Sequence, residues 1–218
     1  MKYLSLFSGI GGFELGIQQA YENNKIGKQK SVRKRSIRDS GERRGNIPSI
    51  RSRRRKSKQE KGHRLEQWEC IGYSEINKYA IQIYEKKFPK HKNYGDITKI
   101  NTKELPDFDL LIGGVPCQSW SIAGKRGGFD DERGNMWFQC FRILKAKQPK
   151  FFLFENVKGL LSHDGGNSME RICEELCKCE YAIDFEVLNS KDFGVPQNRA
   201  RVFIIGIRLD LLDEMQIF

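Results

Sequence analysis

Tyr3-Leu4-Ser5-Leu6-Phe7-Ser8-Gly9-Ile10-Gly11-Gly12-Phe13 opens the chain with an apolar strand, a glycine-rich turn and the start of an amphipathic helix running to Tyr21. Glycines let the backbone turn sharply and approach a ligand, and the amides at a helix start favour an anionic group. Taken alone, the turn reads equally well as tight packing of a helix on a strand. A carboxylate about 20 residues later, at the end of a second strand, is the usual ribose-binding partner of such a turn. Glu75, in Tyr73-Ser74-Glu75-Ile76, closes the next apolar run but lies 63 residues beyond Gly12. Setting aside residues 25–64 reduces that separation to 23. The shorter spacing suits both a ribose-binding carboxylate and a core interrupted at a surface turn, where insertions cost little. A helix-capping acid is the alternative reading of Glu75.

Residues 25–64 carry 17 Lys and Arg against 3 Asp and Glu, so the chain is slightly acidic elsewhere although its net charge is +11. With few large apolar residues and no period, this segment is expected to be a disordered insertion. It reads either as an arm that binds nucleic-acid phosphates without reading sequence or as a solvated insertion without a role. No apolar run is long enough for a membrane span and the amino terminus does not resemble a signal peptide, so a cytoplasmic location is expected. Six cysteines show no paired framework and are expected to be reduced. Cys173, Cys177 and Cys179 lack a second matching pair for a metal site, and Cys173 and Cys177 fall one turn apart on a helix expected to bury them.

Outside the insertion, short apolar runs alternate with amphipathic stretches: Tyr3–Phe7, Cys70–Tyr73, Leu110–Ile112 and Phe151–Phe154 against Phe13–Tyr21, Asn77–Phe88, Met136–Lys145 and Met169–Cys177. That alternation predicts an α/β fold, a doubly wound and mainly parallel sheet covered on both faces. Ala182–Leu188 and Val202–Ile207 are joined by a loop alone and are expected to form an antiparallel edge pair. Ligands should gather at the carboxyl ends of the strands. The turn is Gly-x-Gly-Gly without the third glycine of a dinucleotide fingerprint, so S-adenosylmethionine suits it better than NAD. Its methionine carboxylate would sit at Gly9, Gly11 and Gly12 and its adenine against Phe7 and Ile76. Asp96, after an expected third strand, would bond the adenine amino group or simply cap a turn.

After Asp109–Ile112 comes Gly113-Gly114-Val115-Pro116-Cys117-Gln118-Ser119-Trp120-Ser121. A lone cysteine is usually a small core residue. This one follows proline in a polar, glycine-rich turn at a strand's carboxyl end, where a partly ionised thiol is a good nucleophile. The segment resembles the catalytic motif of cytosine-C5 DNA methyltransferases of bacterial restriction-modification type, together with the downstream Gly124-Lys125-Arg126-Gly127-Gly128 loop. Phe7–Gly12 is similar to that family's cofactor motif, Phe154-Glu155-Asn156-Val157 to its third signature, and Phe193-Gly194-Val195-Pro196-Gln197-Asn198-Arg199-Ala200-Arg201 to its fourth.

The resemblance implies a Rossmann-like, S-adenosylmethionine-dependent fold without a metal, and a base flipped out of double-stranded DNA. Cys117 would add to cytosine C6. Glu155, a strand-end acid with a pKa expected to be raised by burial, would assist at N3. Arg199 and Arg201, at alternate positions entering a strand, would point to one face and hold cytosine O2, a phosphate or the glutamate. Pro116 joins the cofactor residues, and Gln118, Ser121, Lys125 and Arg126 belong to a glycine-rich lid over DNA. The family's target-recognition region and terminal helix are not matched here, which implies a truncated or split catalytic part with a second subunit, or a remnant. A cognate restriction endonuclease is implied by the resemblance alone. RNA cytosine methylation and a non-catalytic nucleic-acid-binding subunit are the competing readings.

Overall fold

The apolar run at the amino terminus forms strand β1 (Lys2–Leu6), in which Tyr3, Leu4, Ser5 and Leu6 are all buried, as a strand covered on both faces requires. In a computed structural model that describes residues 1–23, 68–116 and 136–215, with side chains to 212, helix α1 occupies residues 12–23. Then follow β2 (Glu69–Ser74), α2 (Lys78–Lys87), β3 (Leu110–Gly114), α3 (Met136–Lys147), β4 (Phe151–Val157), α4 (Asn167–Cys177), β5 (Tyr181–Asn189), β6 (Ala200–Arg208) and α5 (Leu209–Met215). Contacts divide the chain into one unit of Met1–Leu15 with Trp68–Phe218 and another of Gly16–Gln67, whose described residues 16–23 are helical. The expected insertion 25–64 lies outside the described residues.

The sheet runs β2-β1-β3-β4-β6-β5. β2, β1, β3 and β4 are parallel neighbours, and β6 is antiparallel to both β4 and β5. The edge pair is as expected. The crossover through α4 carries the chain past one vacant position, and the return from β5 fills it in reverse direction. Gly206 is required there, because a Cβ would fall inside the Phe152 ring.

One expectation needs correction. The third strand expected before Asp96 is a single parallel bridge, Tyr73 to Asn93. Between Pro89 and Gly95 the chain is short and polar. The Tyr94 ring also lies where a Gly72 Cβ would stand, and Gly72 has φ +149°. Two backbone bonds, Tyr73 N to Lys92 O (2.8 Å) and Tyr94 N to Tyr73 O (2.7 Å), are what remains of the ladder.

Helices cover both faces. Trp137, Cys140, Phe141, Ile143 and Leu144 of α3 and Met169, Ile172 and Leu176 of α4 share a core with Leu4, Leu6, Leu111, Phe152, Phe154, Val202 and Ile204. Tyr73, Tyr84 and Phe88 form a smaller cluster, with Leu15 against it. Asn77 starts α2 by accepting hydrogen bonds from the Tyr79 and Ala80 amides, and Lys86 and Lys87 close it against the helix dipole. Of the two cysteines expected to be buried by α4, Cys173 is half-buried and Cys177 is exposed, because the buried stripe runs through 169, 172 and 176. Among the described residues, no helix is long and apolar enough to cross a membrane.

Candidate active site

The carboxyl ends of β1 to β4 bring two groups of residues together. The first surrounds the glycine turn. Phe7, Gly9 and Gly11 all have positive φ, +51°, +54° and +87°, and a bulky residue such as Phe7 adopts that conformation only when its surroundings impose it. The Ser8 amide bonds Ser74 O on β2 (3.3 Å) and the Gly11 amide bonds Ser8 O (2.9 Å), closing the turn on itself and on the neighbouring strand.

Glu75, half-buried at the end of β2, faces this turn. Its Oε2 accepts from the Gly9 amide at 2.9 Å, and its Oε1 accepts from the amides of Ile76 and Asn77, both at 2.8 Å. The carboxylate therefore joins the glycine turn to the approach of α2, while the helix cap itself falls to Asn77. Three of its roughly four acceptor positions are used, leaving room for one further donor. Asn93 was not foreseen. It donates to Glu75 O (3.2 Å) and accepts from Gly95 N (2.8 Å), fixing Glu75 to the turn that precedes Asp96. An asparagine just before a Tyr-Gly-Asp turn is the signal that could have found it. Asp96 Oδ1 caps a short helical turn by accepting from Thr98 N and Oγ1, and these bonds hold its carboxyl below the usual range. Ile76 is 70% exposed, and Gly12 carries nothing within 4 Å of where a Cβ would point.

The second group lies at the ends of β3 and β4. The Val115 amide bonds Glu155 O (3.1 Å), and the buried Asn156 donates from Nδ2 to Val115 O (3.2 Å). Asn156 Oδ1 accepts from the Val157 amide at 2.8 Å, so both ends of its side chain are committed. This tether fixes the backbone that leads through Pro116, half-buried, towards Cys117. Glu155 Oε1 pairs with Arg201 Nε at 2.8 Å, the two standing diagonally across β4 and β6 on one face. The burial expected of Glu155 is incomplete, since both side chains are 21% exposed. A Cβ on Gly114 would come 3.2 Å from Glu155 Oε2, so glycine there leaves the carboxylate its room.

Arg199 and Arg201 are not equivalent. Arg201 is half-buried beside Glu155, whereas Arg199 lies exposed at the end of the 193–199 loop, where its backbone amide bonds Asn189 Oδ1 (3.0 Å). That loop is shaped by Gly194 at φ +82°, by Asn189 Nδ2 to Asn198 Oδ1 (2.7 Å) and by Ser190 Oγ to Gln197 O (2.6 Å). Cys117, Gln118, Ser121, Lys125 and Arg126 lie outside the described residues.

Comparison with known proteins places the chain in a family. The profile of the C-5 cytosine-specific DNA methylase family matches residues 57–217. Type II methyltransferase M.NgoBV of Neisseria gonorrhoeae is 38% identical over 213 residues, covering 94% of this chain and 41% of its own length. Orphan methyltransferase M.SPRI of Bacillus phage SPR is 54% identical over 147 residues, 66% of this chain and 34% of its own. The crystal structure of Spodoptera frugiperda DNMT2 superimposes with a TM-score of 0.62 at 21% identity, covering 97% of this chain and 51% of the other, which shows the fold. The chain thus spans less than half the length of these curated relatives. With the profile extending over most of its residues, the chain belongs to the C-5 cytosine-specific DNA methylase family.

Proposed function

We propose that this chain is the catalytic part of a DNA cytosine-C5 methyltransferase that uses S-adenosylmethionine and the Cys117 thiolate. The observation that carries the reading is the Glu155–Arg201 pair at the end of β4, one strand from the backbone that Asn156 ties down on its way to Cys117.

Cytosine C5 is too weak a nucleophile to take a methyl group unaided. The Cys117 thiolate forms a bond to C6, and the displaced electron pair makes C5 an enamine carbon. Glu155 meets N3 and relieves the charge that develops on the ring, with Arg201 holding the carboxyl in place and Arg199 available to a phosphate or cytosine O2. When bound, S-adenosylmethionine supplies the electrophilic methyl group. A water molecule takes the C5 proton, and the electron pair left behind restores the ring double bond and expels the Cys117 thiolate.

The glycine turn fits that cofactor. Space is open where Cβ atoms at Gly9 and Gly12 would lie, and Glu75 keeps an acceptor position for a ribose hydroxyl. Phe7, Gly11, Ile76, Asp96 and Pro116 complete the set. The target base is extruded from double-stranded DNA, with Gln118, Ser121, Lys125 and Arg126 contacting the strand and residues 25–64 adding phosphate contacts. A second subunit would supply target recognition; a cognate endonuclease is a further partner in keeping with the type II name of M.NgoBV, whereas M.SPRI carries the name orphan.

Trapping on 5-fluorocytosine substrates tests the proposal, because fluorine blocks the final elimination. A covalent adduct on duplex DNA that disappears in Cys117→Ser, formed alone or with a partner subunit, is the expected result. An adduct on RNA alone would overturn the choice of substrate. No adduct under any condition, with cofactor binding intact, would overturn catalysis.

A further inference from the structure

Glu14, in the first turn of α1 immediately after the glycines, is fully buried at 0% exposure, and the mechanism above does not use it. Its Oε1 lies 3.1 Å from the Tyr84 hydroxyl, which lies 2.9 Å from His91 Nδ1, while Oε2 has no hydrogen-bond partner among the described residues. A phenol has one hydrogen and cannot donate to both neighbours. Two arrangements satisfy the chain. In one, His91 Nδ1–H donates to Tyr84, whose hydroxyl donates to a Glu14 carboxylate. In the other, a protonated Glu14 donates to Tyr84, whose hydroxyl donates to His91 Nδ1.

Interconverting the two moves one proton between a buried carboxyl and a half-buried imidazole, and raising the pH removes it, leaving a net negative charge on the trio. Among the described residues, the other groups facing Glu14 and Tyr84 are Ser5 and Tyr3 on β1 and Cys70 on β2. Burial pushes the Tyr3 and Tyr84 phenols far up and the Cys70 thiol up to about 11, so all three stay neutral near pH 7. Glu14 and His91 are left as the titrating pair. Burial pushes the Glu14 carboxyl up, against the pull of the Ser5 and Tyr84 hydroxyls, and pushes His91 down. Tyr84 and Phe88 pack where a Gly11 Cβ would stand, so the trio sits directly behind the glycine turn.

We propose that Glu14, Tyr84 and His91 form a proton relay that sets the charge behind the glycine turn, and with it the turn's preference for a cationic methyl donor over its neutral thioether product. The proposal rests on the cofactor reading above. Above the relay's titration the net negative charge favours the sulfonium, and below it that advantage disappears.

The test is calorimetric titration of the whole chain with S-adenosylmethionine and with S-adenosylhomocysteine from pH 6 to 9, for wild type, Tyr84→Phe and Glu14→Gln. Wild type should gain about threefold or more in donor-over-product preference as pH rises. Both variants should be flat. Tyr84→Phe keeps the ring stacked on Tyr73 at 3.9 Å and so separates the relay from packing. A Tyr84→Phe profile like wild type, or a His91 titration by NMR that does not move in Glu14→Gln, overturns the relay and leaves the cofactor reading standing. Failure of wild type to bind either ligand at any pH overturns the cofactor reading, and the relay's role in selectivity with it.

Discussion

Gly11→Ala should be the most damaging single-methyl change in the glycine turn. Two costs arise at that position. The residue has φ +87°, a conformation that costs an alanine about 1–2 kcal/mol. The new methyl would also lie 2.7 Å from Phe88 Cε2 and 3.2 Å from Tyr84 Cδ2. Phe88 cannot swing aside, because it is only 5% exposed, lies 5.0 Å from the Tyr84 ring and stacks on His91 at 5.0 Å. Overpacking of this kind costs about 1–3 kcal/mol. Together the effects predict a loss of about 2–5 kcal/mol, which for a domain of this size lowers the melting temperature by roughly 5–15 °C. Gly12→Ala is the internal control. Its Cβ would meet nothing within 4 Å, its φ is not positive, and alanine is the better helix former, so its melting temperature should stay level or rise slightly. Circular-dichroism melts of the two variants side by side decide the matter. A Gly11→Ala protein that melts within about 2 °C of wild type would refute the reasoning about Phe88.

Three further outcomes are expected. Arg201→Gln should reduce the rate of 5-fluorocytosine adduct formation by about 10²-fold through loss of the 2.8 Å contact with Glu155, while the melt falls only slightly because both partners are partly solvated; an unchanged rate would remove Arg201 from the site. Asn156→Ala leaves the Val115 carbonyl without its 3.2 Å donor in a buried position and should cost about 1–3 kcal/mol in urea unfolding, with labelling of Cys117 by a thiol reagent altered in the same variant. Acid should destabilise the fold: hydrogen bonds from Thr98 hold Asp96 low and the bond from Lys178 holds Glu175 low, so their contribution is complete above the ordinary carboxylate range and is lost as pH falls through the depressed values, which melts between pH 5 and 3 would record.

The sheet was legible because its strands are short apolar runs with helical periodicity between them, a pattern that survives a one-residue error at any boundary. Its third strand was misread for a local reason. Asn93-Tyr94-Gly95 has the composition of a strand end, but extending the ladder would need Tyr94 elsewhere than over Gly72, and no residue pattern shows that close approach in advance. The site divided along the same line. Glu75 could be placed beside the glycine turn because an acid closing the second strand of a crossover falls next to the turn that ends the first, whatever the length of chain between them. Alternation put Arg199 and Arg201 on one face and left open which of them meets Glu155, and only the exposed 193–199 loop separates them. Glu14, Tyr84 and His91 were invisible, since each has an ordinary role where it stands in sequence and Glu14 and Tyr84 are 70 residues apart. Pairs of that kind are made by the packing of α2 on the glycine turn, so the missing glycine side chain that admits Phe88 and Tyr84 is also what brings a tyrosine hydroxyl within reach of a buried acid.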